Sequence, residues 1–165
     1  MKTAYVAIGG NLVPEGYETL EAVMADAIAA LAKEDLTISQ CSQWFETAPV
    51  PVSDQPWFLN AVMAIETSLT ATALLACLHR VEADFGRIRT IRNEARILDL
   101  DLIDYQGELY DDDAITLPHP RMHQRAFVLL PIQDLDPSWT HPVTGQDVAT
   151  LIAQMPEGQD IRLKS

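Results

Sequence analysis

Positive charge is scarce in this chain and unevenly spread: of 11 basic residues only Lys2 and Lys33 precede position 80. Against 24 acidic residues this leaves a formal charge of −13 and an isoelectric point near 4.4. Such a field excludes a duplex nucleic acid partner, because neutralising phosphates takes a basic surface. Long apolar runs are missing too, none approaching the roughly 20 residues of a membrane span, so no membrane association is expected. Cysteine is sparse, Cys41 and Cys77 standing far apart. The opening MKTAYVAIG has no basic region, long apolar stretch or small-residue cleavage site, so a cytoplasmic protein with two reduced, buried, structural thiols is expected. No repeat or low-complexity tract appears. The 48% hydrophobic and 21% charged content of the 165 residues therefore reads as one folded domain spanning 1–165.

Periodicity then orders the elements. Thr3–Ile8 reads as a buried strand ending in Gly9-Gly10-Asn11, a glycine turn or backbone that supports a ligand. Leu20, Val23, Met24, Ala27, Ile28 and Leu31 recur at helical spacing within Tyr17–Lys33. A strand follows over Leu36–Phe45, then a loop, Glu46–Pro56, too rich in proline to lie inside a sheet. Phe58–Leu69 alternates as a strand with Leu59, Ala61, Met63 and Ile65 on one, drier side. Thr70 or Thr72 can cap a helix through Phe85, and Gly86 can end it. The next strand is Ile97–Tyr105. This strand, helix, strand, strand, helix, strand order predicts an α+β, ferredoxin-like βαββαβ core with an antiparallel sheet. After an acidic turn at Asp111–Asp113 and an irregular stretch, Leu117–Met122, two more C-terminal helices are expected, Ala126–Leu135 and Asp147–Met155, extending the core or covering the second face of the sheet.

Three segments carry chemistry. Strand alternation in Ile97–Leu102 puts Leu98, Leu100 and Leu102 on one face and Asp99 and Asp101 on the other, their Cα atoms about 6.6 Å apart, where they can converge on one hard cation or a pair. A solvated acidic face would look the same. The eleven-residue connection Gly86–Arg96 is long for a helix-to-strand joint and holds Arg87, Arg89, Arg92 and Arg96. Carboxylates for Mg²⁺ beside arginines for phosphate is the division of labour of phosphoryl transfer, although the same arginines could pair with neighbouring acidic residues. The segment Leu117–Phe127 packs His119, Arg121, His123 and Arg125 ahead of a helix. Proline on both sides of His119 argues against a helical zinc pair and for side chains reaching a nucleotide, ordinary surface histidines being the alternative.

AYVAIGGNL, FETAPV, DQPWFLNAV, GRIR, ARILDLDLIDY and LPHPRMHQRAFVLLP follow one another from Ala4 to about Gly145, and this combination resembles the 6-hydroxymethyl-7,8-dihydropterin pyrophosphokinase family. The resemblance implies a ferredoxin-like fold and transfer of pyrophosphate from ATP to the pterin hydroxymethyl group, releasing AMP, in folate biosynthesis. It implies two Mg²⁺ ions on Asp99 and Asp101, and Arg87, Arg89 and Arg96 on a loop closing over the triphosphate. Arg96 and Arg125 would stabilise developing charge, with His79, Leu102, Thr116 and His119 at the adenosine. For the pterin it implies Phe58 and Phe127 on the two ring faces, Asn60 at the polar edge, and Thr47 with the backbone near Pro49 and Val50 completing the pocket. ATP and the dihydropterin are then the partners of a monomer. The chain departs from many relatives where Asn93-Glu94-Ala95 stands for Trp-Gly-Pro, Gly10 for serine and Ala114 for arginine. Two other readings fit the residues: a different Mg²⁺-dependent phosphoryl or nucleotidyl transferase, and a non-enzymatic small-ligand module on the same fold.

Overall fold

The computed structural model describes residues 1–49, 51, 53–86 and 97–164. Its centre is strand β1 (Lys2–Gly10), nine residues of mostly small and branched apolar side chains that pair along both edges. On one side lies β4 (Phe58–Thr67) and on the other β5 (Asp99–Tyr105), both antiparallel to it. The six-stranded sheet has the order β5-β1-β4-β3-β8, with β2 (Leu36–Cys41) also on β4, β3 being Phe45–Thr47 and β8 Ile161–Leu163. The third long strand is inserted between the first two, which is the split arrangement of a ferredoxin-like α+β fold.

Helix α1 (Leu20–Ala32) begins where Thr19 turns extended and its hydroxyl accepts from the Ala22 N–H at 3.1 Å. Helix α2 (Ala71–Asp84) is capped in the same way by Thr70 on the Ala73 N–H, and the chain leaves it through Gly86 at a φ of +85°. Both helices pack on the face carrying Val6, Ile8, Leu59, Met63, Leu98 and Leu100, all buried. Each leucine so buried contributes about 1.5–3 kcal/mol, so this layer fixes which face of every strand is turned inward. Helices α3 (Ala126–Leu135) and α4 (Val148–Gln154) cover the second face over Ala7, Val62, Ile103 and Met122. Covering both faces explains why β4 is buried on both, not drier on one side.

Several sequence expectations are corrected. Gly9 and Gly10 are strand residues, paired with Asn60 and Leu59, and not a turn. The expected strand Leu36–Phe45 is two, β2 and β3, divided at Ser42, whose N–H donates to the Val62 carbonyl while its hydroxyl accepts from the Val62 N–H at 3.0 Å. Thr47 belongs to β3 and not to the proline-rich loop. The expected irregular stretch contains the start of a 3-10 turn, Met122–Gln124, and begins at a two-stranded ribbon of β6 (Tyr110–Asp111) and β7 (Thr116–Leu117). Cys77 is buried as expected, but Cys41 is exposed, because β2 lies at the margin of the sheet and pairs on one side only.

Candidate active site

Directly opposed residues in an antiparallel sheet share a face. Asp99 stands opposite Gly9, Gly9 opposite Asn60, and Asn60 opposite Phe45, so one line crosses four strands on the face turned away from α1 and α2. One step along, Asp101 stands opposite Ala7. The neighbours of the two aspartates on β1 are therefore a glycine and an alanine, which leave the half-buried carboxylates uncovered from that side. Two hard oxygen donors on one face suit a divalent cation that takes its other ligands from phosphate oxygens and water. They do not make a closed protein cage, and among the described residues there is no group of three or more His, Cys, Asp or Glu side chains that could hold a metal.

The glycines fix this geometry by what they omit. A Cβ on Gly9 would collide with Asn60 Oδ1, and one on Gly10 would collide with the Ile97 carbonyl. Asn60 thus lies flat across β1 with its amide aimed sideways, where Nδ2 donates to Thr47 Oγ1 at 2.7 Å. Both residues are buried, Asn60 to 7% and Thr47 to 5% exposure. Phe58, directly opposite Thr47, is half-buried on the same face. The loop before it is held by Asn11, whose Nδ2 donates to the Pro56 carbonyl at 2.9 Å and to Gln55 Oε1 at 3.2 Å.

The opposite wall is the segment between β7 and α3. The His119 N–H donates to the Ile103 carbonyl at 2.9 Å, tying the segment to β5, and the fully buried Met122 anchors it in the second core. His119 Nδ1 accepts from the Arg121 N–H at 3.2 Å, which requires the unprotonated nitrogen and leaves Nε2–H as a donor. Burial pushes the His119 pKa down to about 4, the charges of Arg125 and Arg121 adding to the push and that of Asp99 opposing it. His119, Arg125 and Asp99 therefore lie within one electrostatic neighbourhood. Arg125 also stacks over Phe127, its guanidinium carbon 5.3 Å from the ring centroid, and Phe127 is half-buried on α3, which packs on β3 and β4.

The structure therefore gathers Asp99, Asp101, Asn60, Thr47, Phe58, His119, Arg125 and Phe127 around one face of the sheet. Leu102 is buried on the other face, in the core beneath α1 and α2, and His79 is exposed on α2. Thr116 is exposed on the small ribbon, and Pro49 is buried just beyond β3. Val50, Arg87, Arg89 and Arg96 lie outside the described residues. One residue that the sequence reading missed is Glu82, buried to 1% on α2, whose Oε2 accepts at 2.7 Å from the Leu100 N–H, the amide between the two aspartates. Its signal was present, since Glu82 follows Leu78 by four residues on the apolar stripe of α2.

A family model described as 7,8-dihydro-6-hydroxymethylpterin-pyrophosphokinase matches residues 5–137. The 2-amino-4-hydroxy-6-hydroxymethyldihydropteridine pyrophosphokinase of Haemophilus influenzae is 36% identical over 163 residues, covering 99% of both chains. Folic acid synthesis protein fol1 of Schizosaccharomyces pombe is 35% identical over 99% of this chain, which spans only 22% of that longer protein. Among solved structures, wild-type HPPK-DHPS of Plasmodium falciparum superposes with a TM-score of 0.68 at 12% identity, over 93% of this chain and 41% of that one, a likeness of fold. With the aspartate pair, the amide on Gly9 and the histidine-arginine segment all within the matched stretch, the chain belongs to the 7,8-dihydro-6-hydroxymethylpterin-pyrophosphokinase family.

Proposed function

We propose that residues 1–165 act as one domain that transfers the pyrophosphoryl group of ATP to the hydroxymethyl oxygen of 6-hydroxymethyl-7,8-dihydropterin, releasing AMP, as a cytoplasmic monomer in folate biosynthesis. The observation that carries this reading is the single face on which two carboxylates, a buried amide, two half-buried aromatics and a histidine-arginine segment meet. In the reaction the pterin oxygen bonds to the β-phosphorus, the bond from that phosphorus to the α,β-bridging oxygen breaks, and the hydroxyl proton is lost to solvent or product phosphate. Mg²⁺ held by Asp99 and Asp101 would supply charge neutralisation along the phosphates and orientation of the reacting oxygens.

The remaining work falls to the chain's own side chains. Phe58 and Phe127 offer apolar faces to a flat heterocycle, and Asn60, held by Thr47, offers Oδ1 to its donor edge. A buried polar group set in this way rejects analogues that leave it unpaired. Nε2–H of the neutral His119 and the guanidinium of Arg125 are donors for the nucleotide, the arginine remaining charged throughout. On the strength of the sequence resemblance alone, Thr116 is assigned to the adenosine side and Arg87, Arg89 and Arg96 to the triphosphate; Leu102, buried in the core beneath α1 and α2, and His79, on α2, stand on the opposite face of the sheet from the aspartates and are left out of the assignment. Positioning and electrostatics suffice for a direct, in-line transfer without a covalent intermediate.

The test is AMP formation from ATP and Mg²⁺ with and without the dihydropterin, for wild type and Asp101→Ala side by side. AMP that depends on the pterin and is lost in the variant is the expected result. Pterin-independent AMP, or none from folded wild type, would overturn the assignment.

A further inference from the structure

The two walls of this face come from distant parts of the chain, and three consecutive residues near the C-terminus touch both. Gln159 Oε1 accepts from the Ala126 N–H at 2.9 Å, and its Nε2 donates to the Gln124 carbonyl at 2.8 Å and to the Pro156 carbonyl at 3.0 Å. The Asp160 carbonyl accepts from the Ala48 N–H at 3.0 Å. Ile161 opens β8 directly opposite Thr47. Gln159 thus grips the segment on either side of Arg125 just before Phe127, while the next two residues grip β3 at Thr47 and Ala48.

The need for such a grip is visible at α3. Its N-cap residue is Arg125, which makes no capping bond of its own, so the first N–H of the helix, that of Ala126, would otherwise lack an intrachain acceptor. Gln159 supplies the acceptor from 33 residues away. The tail is fastened further along: Arg162 lies 4.5 Å over the Trp57 ring, next to Phe58, and its Nε is 3.2 Å from Glu46 Oε1 on β3. The Lys164 N–H closes on the Trp44 carbonyl at 2.9 Å. The tail residues that make these bonds, Gln159 to Lys164, lie beyond the stretch, residues 5–137, that matches the family model, and their partners, Pro156 apart, lie within it.

We infer that Gln159 and strand β8 form a brace that sets the Arg125–Phe127 wall against the Thr47–Phe58–Asn60 wall, making Gln159 a positioning residue for pterin binding. The inference rests on the proposed function, since the walls matter as a pair only if one flat ligand lies between them. The brace acts through spacing. Freeing Ala126 lets the first turn of α3 fray and moves Phe127 relative to Phe58, whereas the aspartates, both on β5, a strand with which β8 does not pair, keep their places.

The experiment compares wild type, Gln159→Ala, Gln159→Glu and Val23→Ala, the last removing buried volume from α1 on the other face of the sheet. Binding of 6-hydroxymethylpterin is followed by fluorescence in the presence of Mg²⁺ and a non-hydrolysable ATP analogue, at a temperature where circular dichroism shows every variant folded. Gln159→Ala is expected to weaken pterin binding about tenfold and to raise the pterin KM by a similar factor, with binding of the analogue alone within about twofold. Gln159→Glu keeps the acceptor for Ala126 but sets a carboxylate oxygen against the Gln124 and Pro156 carbonyls, so it is expected to recover only part of the affinity. Val23→Ala, though destabilised, is expected to bind pterin like wild type. If Gln159→Ala binds pterin within about twofold of wild type, or Val23→Ala weakens it equally, the brace is wrong while the pterin reading stands. If wild type itself binds no pterin, both fall.

Discussion

Asn60 donates from Nδ2 to Thr47 Oγ1 across two neighbouring strands, 2.7 Å apart, both side chains buried. This one bond decides which end of the amide faces which way: nitrogen toward β3, oxygen over Gly9. Replacing Thr47 by valine keeps the shape and removes the acceptor, leaving a buried N–H unsatisfied at a cost of about 1–3 kcal/mol. Thr47→Val should therefore lower the urea midpoint and, because the amide is then free to turn over, raise the KM for the pterin while leaving that for ATP unchanged. Equal rises in both would show that Asn60 does not serve the pterin.

Gly9→Ala tests the same amide from below. The added methyl meets Asn60 Oδ1 and the Leu59 carbonyl, and backbone atoms cannot move aside, so Asn60 has to. The backbone at Gly9 is ordinary strand, so the effect is steric and not conformational. A stability loss of about 1–3 kcal/mol is expected from overpacking, together with loss of pterin binding and retention of nucleotide binding. Pterin binding unchanged in Gly9→Ala, measured by fluorescence titration, would remove Asn60 from the pterin site.

How much of this was legible in the sequence differs by element. α1, α2 and α3 carry long apolar stripes and a threonine cap at two of their three starts, so their limits were readable to within a few residues. The alternation of Leu98 to Leu102 also exposed the aspartate pair, because a period of two leaves no choice of face. β3 and β8 span three residues each, too short for any period to register, and were invisible for that reason. Gly9-Gly10 was misread because glycine marks both turns and close approaches, and here the approach of the Asn60 side chain and the Ile97 carbonyl is what excludes a side chain. Gln159 carries little local signal, since apart from the Pro156 carbonyl three residues back its partners lie 33 and 35 residues back in the chain.

Under the proposed function Asp99 and Asp101 serve the metal more than the fold. Both are half-buried on β5, a strand already secured by Leu100, its N–H bond to Glu82 and the buried Leu98 just before it. Asp101→Asn, which keeps the side chain's size and an oxygen acceptor, should leave a folded protein with a cooperative urea transition. Turnover should fall by about 10²-fold or more, the scale seen when a group that stabilises transition-state charge is removed. Calorimetric titration of Mg²⁺ with an ATP analogue should show the affinity reduced in the variant, a readout independent of catalysis. Undiminished AMP formation by wild type after exhaustive dialysis against chelator would refute the metal role outright.

His119 gives the site a pH dependence whose sign can be fixed. In the unfolded chain an imidazole has a pKa near 6.5, and in the folded protein burial beside Arg125 and Arg121 holds it down to about 4. Between these values the unfolded state binds the proton and the folded state does not, so acidification favours unfolding. The contribution of His119 is fully present above about pH 6.5, is lost as the pH falls toward about 4, and changes no further below that; a shift of this size corresponds to at most about 3 kcal/mol. Replacing His119 by asparagine removes the titration and keeps a polar side chain ahead of Arg121. The urea midpoint of His119→Asn should accordingly fall less steeply than that of wild type between pH 7 and 4.5, the carboxylates contributing equally to both curves and cancelling in the difference. Parallel curves would mean that the histidine is solvated and free to protonate. Such an imidazolium could not accept the Arg121 N–H at Nδ1, and the segment that carries Arg125 and Phe127 would lose one of the bonds that shape it.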